Sequence, residues 1–256
     1  MANSKSWAKI FRDYNINEHD FDKEPFVLTA PQIKVSCQRF KKTAEKEVRI
    51  LCKQDTRESR PKIFQKNNLF LLPVKNGIYN IIKGEGYLDM PEINKEIEIY
   101  SSKLQFHLDS SDVGDSEMQH LDFAYASSLI RTFMDDPTLV LTIRGRKYTP
   151  EFHFKVGSQE IKTASVQTEV DAGYEGENQI VLVEAKRPGV SNTIIRQLYY
   201  PFRQWQVCTE KKVIILFFER DIKENSYSIW QFKFENEDDY NSVKLVNSGK
   251  YRIKES

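Results

Sequence analysis

The sequence predicts an α/β (α+β) chain: a mixed β-sheet flanked by helices, preceded by a mainly helical N-terminal region. Three observations carry this. Residues 166–218 read as strand, turn, strand, helix, strand. A long helical pattern opens at Glu117 just ahead of them. The first third of the chain holds short helix signals closed by an Asn76-Gly77 hairpin turn. A chain of 256 residues supports one large domain or two modest ones. We place the division between an N-terminal domain, 1–110, and a second domain, 111–256.

In chain order, Thr29-Ala30-Pro31 starts a helix, with Pro31 in its first turn. A second helix is expected from Ala44 to about Lys53. The stretch from Arg57 to Lys66 is basic and broken by Pro61. Leu69–Val74 and Ile78–Ile82 flank Lys75-Asn76-Gly77 as a hairpin. Net charge is only +1 over the whole chain. Between Lys34 and Lys83, however, thirteen Lys or Arg face four acids, a local excess of nine. Such asymmetry suits a phosphate-binding module. Helices followed by a hairpin in a basic region resemble a winged helix-turn-helix. That resemblance implies double-stranded DNA as partner, a helix in the major groove and the hairpin along the backbone. Arg57, Arg60, Lys62, Lys66 and Lys75 are the expected DNA contacts, since Arg reads guanine bidentately. The same composition also fits a basic helical subdomain that only packs on its neighbour.

Gly114-Asp115-Ser116 precedes a helix expected from Glu117 to about Met134, with Met118, Leu121, Tyr125, Leu129 and Phe133 as its apolar stripe. Glu117 suits the helix dipole at this start. Arg144, Arg146, Lys147 and Lys155 follow in a hairpin-like stretch and are available to phosphates.

The segment from Val166 to Trp205 carries the chemistry. Val166, Thr168 and Val170 alternate with Gln167, Glu169 and Asp171, and Gly173, Gly176 and Asn178 punctuate a turn. Ile180 to Ala185 is apolar on both faces until Glu184, as a buried central strand requires. With the turn centred on Glu177-Asn178, Asp171 lies opposite Glu184 and Glu169 opposite Lys186, all four on one face. Two opposed carboxylates need a neutralising partner, and a hard divalent cation is one. Asp171 and Glu184 are therefore the expected Mg²⁺ ligands, with the Ala185 carbonyl as a third. Lys186 would orient or deprotonate an attacking water, and Glu169 would pair with Lys186 or serve a second metal. Ser191 or Asn192 should cap a helix carrying Ile194, Ile195, Leu198, Phe202 and Trp205 on its packed side, with Pro201 kinking or restarting it. Lys211 to Phe218 reads as a buried strand and Ser226 to Phe234 as an edge strand.

Asp171, Glu184, Ala185 and Lys186 resemble the motif of the PD-(D/E)XK nuclease superfamily, and within it the type II restriction endonucleases. Val170 stands where that family commonly has proline. The likeness extends over residues 117–220, including the helix with Gln197 and Arg203. It implies a restriction-endonuclease-like sheet, Mg²⁺-dependent hydrolysis of DNA at a specific site, and catalytic roles for Asp171, Glu184 and Lys186. It implies that Gln197 touches the active site, Arg203 the DNA backbone, and that Glu117 is an extra acid near the metal. It also implies a homodimer for cutting both strands, and a cognate DNA methyltransferase in the same system. A different class is a non-catalytic winged-helix DNA-binding regulator on an inactive nuclease core; a repair or junction nuclease is a further alternative within the enzyme class.

Composition narrows the rest. Cys37, Cys52 and Cys208 have no metal spacing and read as reduced residues of a cytoplasmic protein. His19, His107, His120 and His153 are scattered, which speaks against a zinc or histidine–metal site. No apolar run reaches membrane-spanning length, no signal-peptide core opens the chain, and no phosphate-loop motif of ATPases occurs.

Overall fold

The computed structural model describes residues 3–114 and 116–254. Asp115, in the turn expected ahead of Glu117, lies outside the described residues. The fold is α+β, with helices on both faces of a central mixed sheet.

The N-terminal segment folds first into helices. Helix α1, Ser4–Asp13, buries Trp7, Ile10 and Phe11, spaced at three to four residues, against helix α2, Ala30–Cys37. Strand β1, Phe26–Thr29, runs straight into α2. Thr29 caps that helix through a reciprocal pair with Gln32, and proline occupies the first turn, as the sequence indicates. The second expected helix does not run from Ala44 to Lys53. It breaks into α3, Thr43–Lys46, and α4, Val48–Leu51, at an extended Glu47. Side chains of α1 meet carbonyls of both pieces: Ser6 Oγ donates to Glu45 at 2.6 Å and Trp7 Nε1 to Leu51 at 3.1 Å. Helix α5, Lys62–Lys66, follows Pro61. Strands β2, Leu69–Lys75, and β3, Ile78–Lys83, form the hairpin, with Gly77 at φ +75° in its turn. The small sheet has the order β1-β3-β2.

Strands β4, Tyr87–Asp89, and β5, Glu98–Ser101, lead out of this region. Strand β5 joins the large sheet, well before residue 110. The helix expected from Glu117 to Met134 is two helices, α6, Glu117–Ala126, and α7, Leu129–Phe133. Ser128 breaks it by adopting a left-handed φ of 68°. The Ser127 carbonyl is taken instead by Tyr100 Oη and Lys103 N.

The large sheet has seven strands: β5, β14 (Val243–Lys254), β13 (Ser226–Phe234), β12 (Lys212–Asp221), β10 (Gln179–Lys186), β9 (Gln167–Glu175) and β6 (Val140–Tyr148), in that spatial order. Strand β13 is therefore interior and not an edge strand, because β14 covers it. Strands β7, Phe152–Val156, and β8, Gln159–Thr163, make a separate hairpin. The sequence β6–β9–β10 meanders antiparallel, then α8, Arg196–Cys208, crosses to β12, which pairs parallel with β10.

Residues 192–194 do not cap this helix. They form strand β11, Asn192–Ile194, paired with β4. Pro201 lies inside α8 without ending it. Tyr199, Tyr200 and Phe202 around it are buried against the sheet, and tertiary packing outweighs one lost backbone hydrogen bond.

Two cores sandwich the sheet. Ile180 and Leu182 of β10 pack with α8 on one side. Val181, Val183 and Ala185 pack with Leu121, Leu129 and Ile130 of α6 and α7 on the other. The α8-side core is continuous with the hairpin, since Phe70, Leu72 and Ile82 belong to it. Gly173 admits β6: a Cβ there would lie 2.6 Å from Cβ of Ile143.

Candidate active site

Strands β9 and β10 pair with Val183 opposite Ala172 and Ile180 opposite Glu175, the register the sequence predicts. Continued one step, it sets Asp171 against Glu184. The ladder stops there because β9 bulges. Between Ile143 and Gly145 of β6 a single residue, Arg144, faces two of β9, Ala172 and Asp171, between Gly173 and Val170. The bulge frees Asp171 to use its side chain, and its Oδ2 accepts the backbone N–H of Ala185 at 2.7 Å. It also reverses the alternation upstream, so Val170 packs on the α8 side, where Leu182 lies. The expected placement of all four charged side chains on one face therefore fails for Glu169. Glu169 is exposed and pairs with Arg146 at 3.3 Å, not with Lys186.

Glu184 is 8% exposed at the end of β10. Burial raises its carboxyl to about 7, with Asp171 pushing the same way and Lys186 opposing. Burial likewise raises Asp171, opposed by the Ala185 N–H and Lys186. For Lys186, burial pulls the pKa down, but Glu184 and then Asp171 outweigh it and leave the ammonium above its ordinary value. Lys186 Nζ lies 2.5 Å from Glu184 Oε1. The first turn of α8 supplies Gln197, whose Nε2 donates to the same oxygen at 2.7 Å. Thr193 Oγ1, fully buried on β11, donates to Gln197 Oε1 at 2.9 Å. This bond fixes which end of the amide faces Glu184.

The structure thus brings Asp171, Glu184, Lys186 and Gln197 together. They line a cleft of about 710 Å³ that also takes in Glu117 at the start of α6 and Glu169, which reaches it from β9 and raises Asp171 electrostatically. Its far wall comes from the N-terminal segment, at Arg49, Lys53 and Lys75. Sequence reasoning missed Arg49, Lys53, Asp55, Thr193 and Arg196. Asp55 reaches Arg196 at 3.8 Å and its charge acts on Lys186. Arg196 could have been noticed as the neighbour of Gln197. No local pattern reports the approach of Asp55 across 141 positions of sequence.

The other expected DNA contacts fall elsewhere. Arg57 is tied to Asp89 and Glu85 and donates to the Tyr87 carbonyl. Arg60 is buried, donates to the Leu69 carbonyl at 3.0 Å and stacks 4.9 Å above the Tyr87 ring. Arg203 pairs with Asp238 at 2.8 Å and lies against Phe152 and Tyr199. Lys62 and Lys66 are exposed on α5, outside the cleft. Arg144 pairs with Asp122, Lys147 lies 5.8 Å from the Trp205 ring, and Lys155 is 3.7 Å from Glu160.

Asp171 and Glu184 offer two carboxylates, with the Ala185 carbonyl beside them. Among the described residues no group of three or more His, Cys, Asp or Glu is placed to hold a metal ion. That set does not suit zinc, which takes three or four protein ligands. It does suit Mg²⁺, which keeps waters and binds through one or two carboxylates plus substrate oxygens. The desolvated pair of acids is itself an observation in favour of a cation there, because burial alone disfavours both charges.

No curated protein and no solved structure matches the chain. Residues 4–81 match the family model described as Domain of unknown function (DUF6996). Residues 82–252, the part holding Glu117, Asp171 and Glu184, match that described as Domain of unknown function (DUF6997), and the chain belongs to this family.

Proposed function

We propose that the chain is a Mg²⁺-dependent endonuclease that hydrolyses phosphodiester bonds of double-stranded DNA. The observation that carries the reading is the cluster at the buried end of β10. Lys186 and Gln197 converge there on Glu184, and Asp171 is held beside them by the Ala185 N–H. The scaffold supports it too: α6, a β6-β9-β10 meander and the α8 crossover to parallel β12 give the order expected of a PD-(D/E)XK core. The order β1-β3-β2, with helices preceding its hairpin, supports a winged-helix reading of the N-terminal segment.

Asp171, Glu184 and the Ala185 carbonyl would hold Mg²⁺, which when bound supplies Lewis-acid polarisation of the scissile phosphate. Lys186 remains an ammonium, and its N–H groups orient a water and offset negative charge growing on the phosphate oxygens. Gln197 holds the Glu184 carboxylate in one orientation. Within the nuclease class we read a site-specific type II restriction enzyme. It would act in the cytoplasm as a homodimer, since two strands need two sites, beside a cognate DNA methyltransferase. No helix among the described residues is long and apolar enough to cross a membrane.

The test is cleavage of unmethylated plasmid DNA by wild type and Lys186→Ala, with Mg²⁺ and with EDTA. Discrete Mg²⁺-dependent fragments lost in the variant are expected. Wild type without cleavage of unmethylated or methylated DNA overturns the reading.

A further inference from the structure

The wall opposite the acids has a chemistry that the catalytic cluster does not explain. Arg49 on α4, Lys53 just after it and Lys75 at the hairpin turn all line the cleft and are exposed, and Lys53, although 3.7 Å from Asp55, keeps its side chain 73% exposed to meet a phosphate. The carboxylates of Glu117, Asp171 and Glu184 line it from the other side. Acids at a catalytic floor repel a polyanion, so a strand drawn into this space needs cations near it.

The wall is also fixed in place relative to the acids. Tyr200 Oη of α8 donates to the Pro73 carbonyl at 2.9 Å, and Ala164 N donates to the Val74 carbonyl at 3.0 Å. Those two bonds hold the strand that ends in Lys75. Ile194 N donates to the Asp55 carbonyl at 2.8 Å, anchoring the segment just after Lys53. Asn192 Nδ2 bonds both carboxylate oxygens of Glu58 at 3.0 Å, and its Oδ1 accepts Arg57 N at 2.7 Å. A hydrophobic core shared by the hairpin and α8 underlies these bonds. Hinge motion between the two walls would break this core and its buried hydrogen bonds together.

We infer that Arg49, Lys53 and Lys75 form a phosphate-binding wall for DNA, so that the strand is gripped and cut in one rigid cleft. The cut then falls at a fixed, short register from the segment contacted by the hairpin turn. This rests on the nuclease reading for the cut and on the wall alone for the grip.

The experiment measures binding of a fluorescent 30-base-pair duplex by the full chain in Ca²⁺, across a salt series, by anisotropy. Wild type is compared with Arg49→Ala/Lys53→Ala/Lys75→Ala. Lys223→Ala/Lys244→Ala, at two exposed lysines away from the cleft, is the control. Each lost phosphate contact flattens the slope of log K against log salt by about 0.9, so the triple variant should lose roughly 2–3 and the control none. Thermal melts confirm that both variants fold. An unchanged slope in the triple variant, an equal loss in the control, or no binding by wild type overturns the inference. Wild type that binds with the expected slope but never cleaves in Mg²⁺ sinks the nuclease reading and leaves the wall standing. In cleaving protein, cuts scattered at variable distance from the footprint overturn the fixed register.

Discussion

Gln197 and Lys186 bond one and the same oxygen of Glu184, Oε1, at 2.7 and 2.5 Å. One donor is neutral and comes from α8; the other is charged and comes from the strand that carries Glu184 itself. The carboxylate is therefore oriented from two elements, and Gln197 is in turn oriented by Thr193.

That chain of contacts predicts coupled losses. Gln197→Ala should lower the cleavage rate about 10–100-fold, the usual cost of removing a group that orients a metal ligand. Thr193→Val should lower it by less, and Thr193→Ser should restore it. In a double-mutant cycle on kcat, Thr193→Val added to Gln197→Ala should cost little more. Additive losses would show that the two residues act independently.

The Glu184 carboxyl gives a pH signature in metal-free protein. Its pKa is about 7 when folded against an ordinary 4.5, so the native state holds more protons between those values. Stability from this group is present below about pH 4.5 and is lost as pH rises towards 7. Between pH 5 and 8, wild type should lose up to about 3 kcal/mol more than Glu184→Gln, read by urea melts in EDTA. A gap that stays constant across that range would mean that Glu184 titrates as an exposed acid.

Arg60 should matter to the fold and not to DNA. Arg60→Ala removes a buried charge-assisted bond to the Leu69 carbonyl and the stacking on Tyr87. The expected cost is about 2–4 kcal/mol in denaturant unfolding. Affinity per folded molecule and its salt slope should stay at wild-type values. A flattened slope would return Arg60 to the DNA interface.

Gly173→Ala tests the approach of β6 to β9. The added methyl meets the Cβ and Cγ2 of Ile143 at 2.6 and 3.1 Å, all on a branched, buried side chain. Overpacking of this kind costs about 1–3 kcal/mol. Ile143→Val in the same background removes only the Cδ1 contact at 3.1 Å and keeps the Cβ contact at 2.6 Å, so it should recover little of the loss. No change in stability for the single variant would mean that the strands part freely.

Much of the site was legible because its logic is local. The turn at Glu177-Asn178 set the register that aligns Asp171 with Glu184, and one apolar run announced β10. Thr29, Pro31 and Asn76-Gly77 announced their cap and turn through backbone chemistry that no distant residue can alter. The errors share one cause. The expected helices break at Glu47 and Ser128, and Asn192 pairs in a strand instead of capping one, because distant groups supply partners: Ser6 and Trp7 to the Glu45 and Leu51 carbonyls, Tyr100 to the Ser127 carbonyl, and Glu58 to the Asn192 amide. Glu169 lines the cleft but pairs with Arg146 and not with Lys186 for a related reason, since a bulge set by pairing with β6 cannot be seen in β9 alone. Arg57, Arg60 and Arg203 look available in a sequence rich in cations. Only the folded chain shows the carbonyls and carboxylates that already occupy them.

The two family segments meet between residues 81 and 82, inside β3, which runs Ile78–Lys83. The seam therefore cuts a hydrogen-bonded strand whose neighbours Phe70 and Leu72 rest on the α8-side core. A fragment ending there would bare that apolar surface and lose the last two pairs of its own hairpin, Phe70 with Ile82 and Leu69 with Lys83. Exchanging N-terminal halves between relatives would succeed only if the hairpin travelled with the helix face that receives it. In the nuclease proposed above, a change in the segment that grips DNA and a change in the site that cuts it would therefore be bound to one another, and a new specificity would have to be built in place.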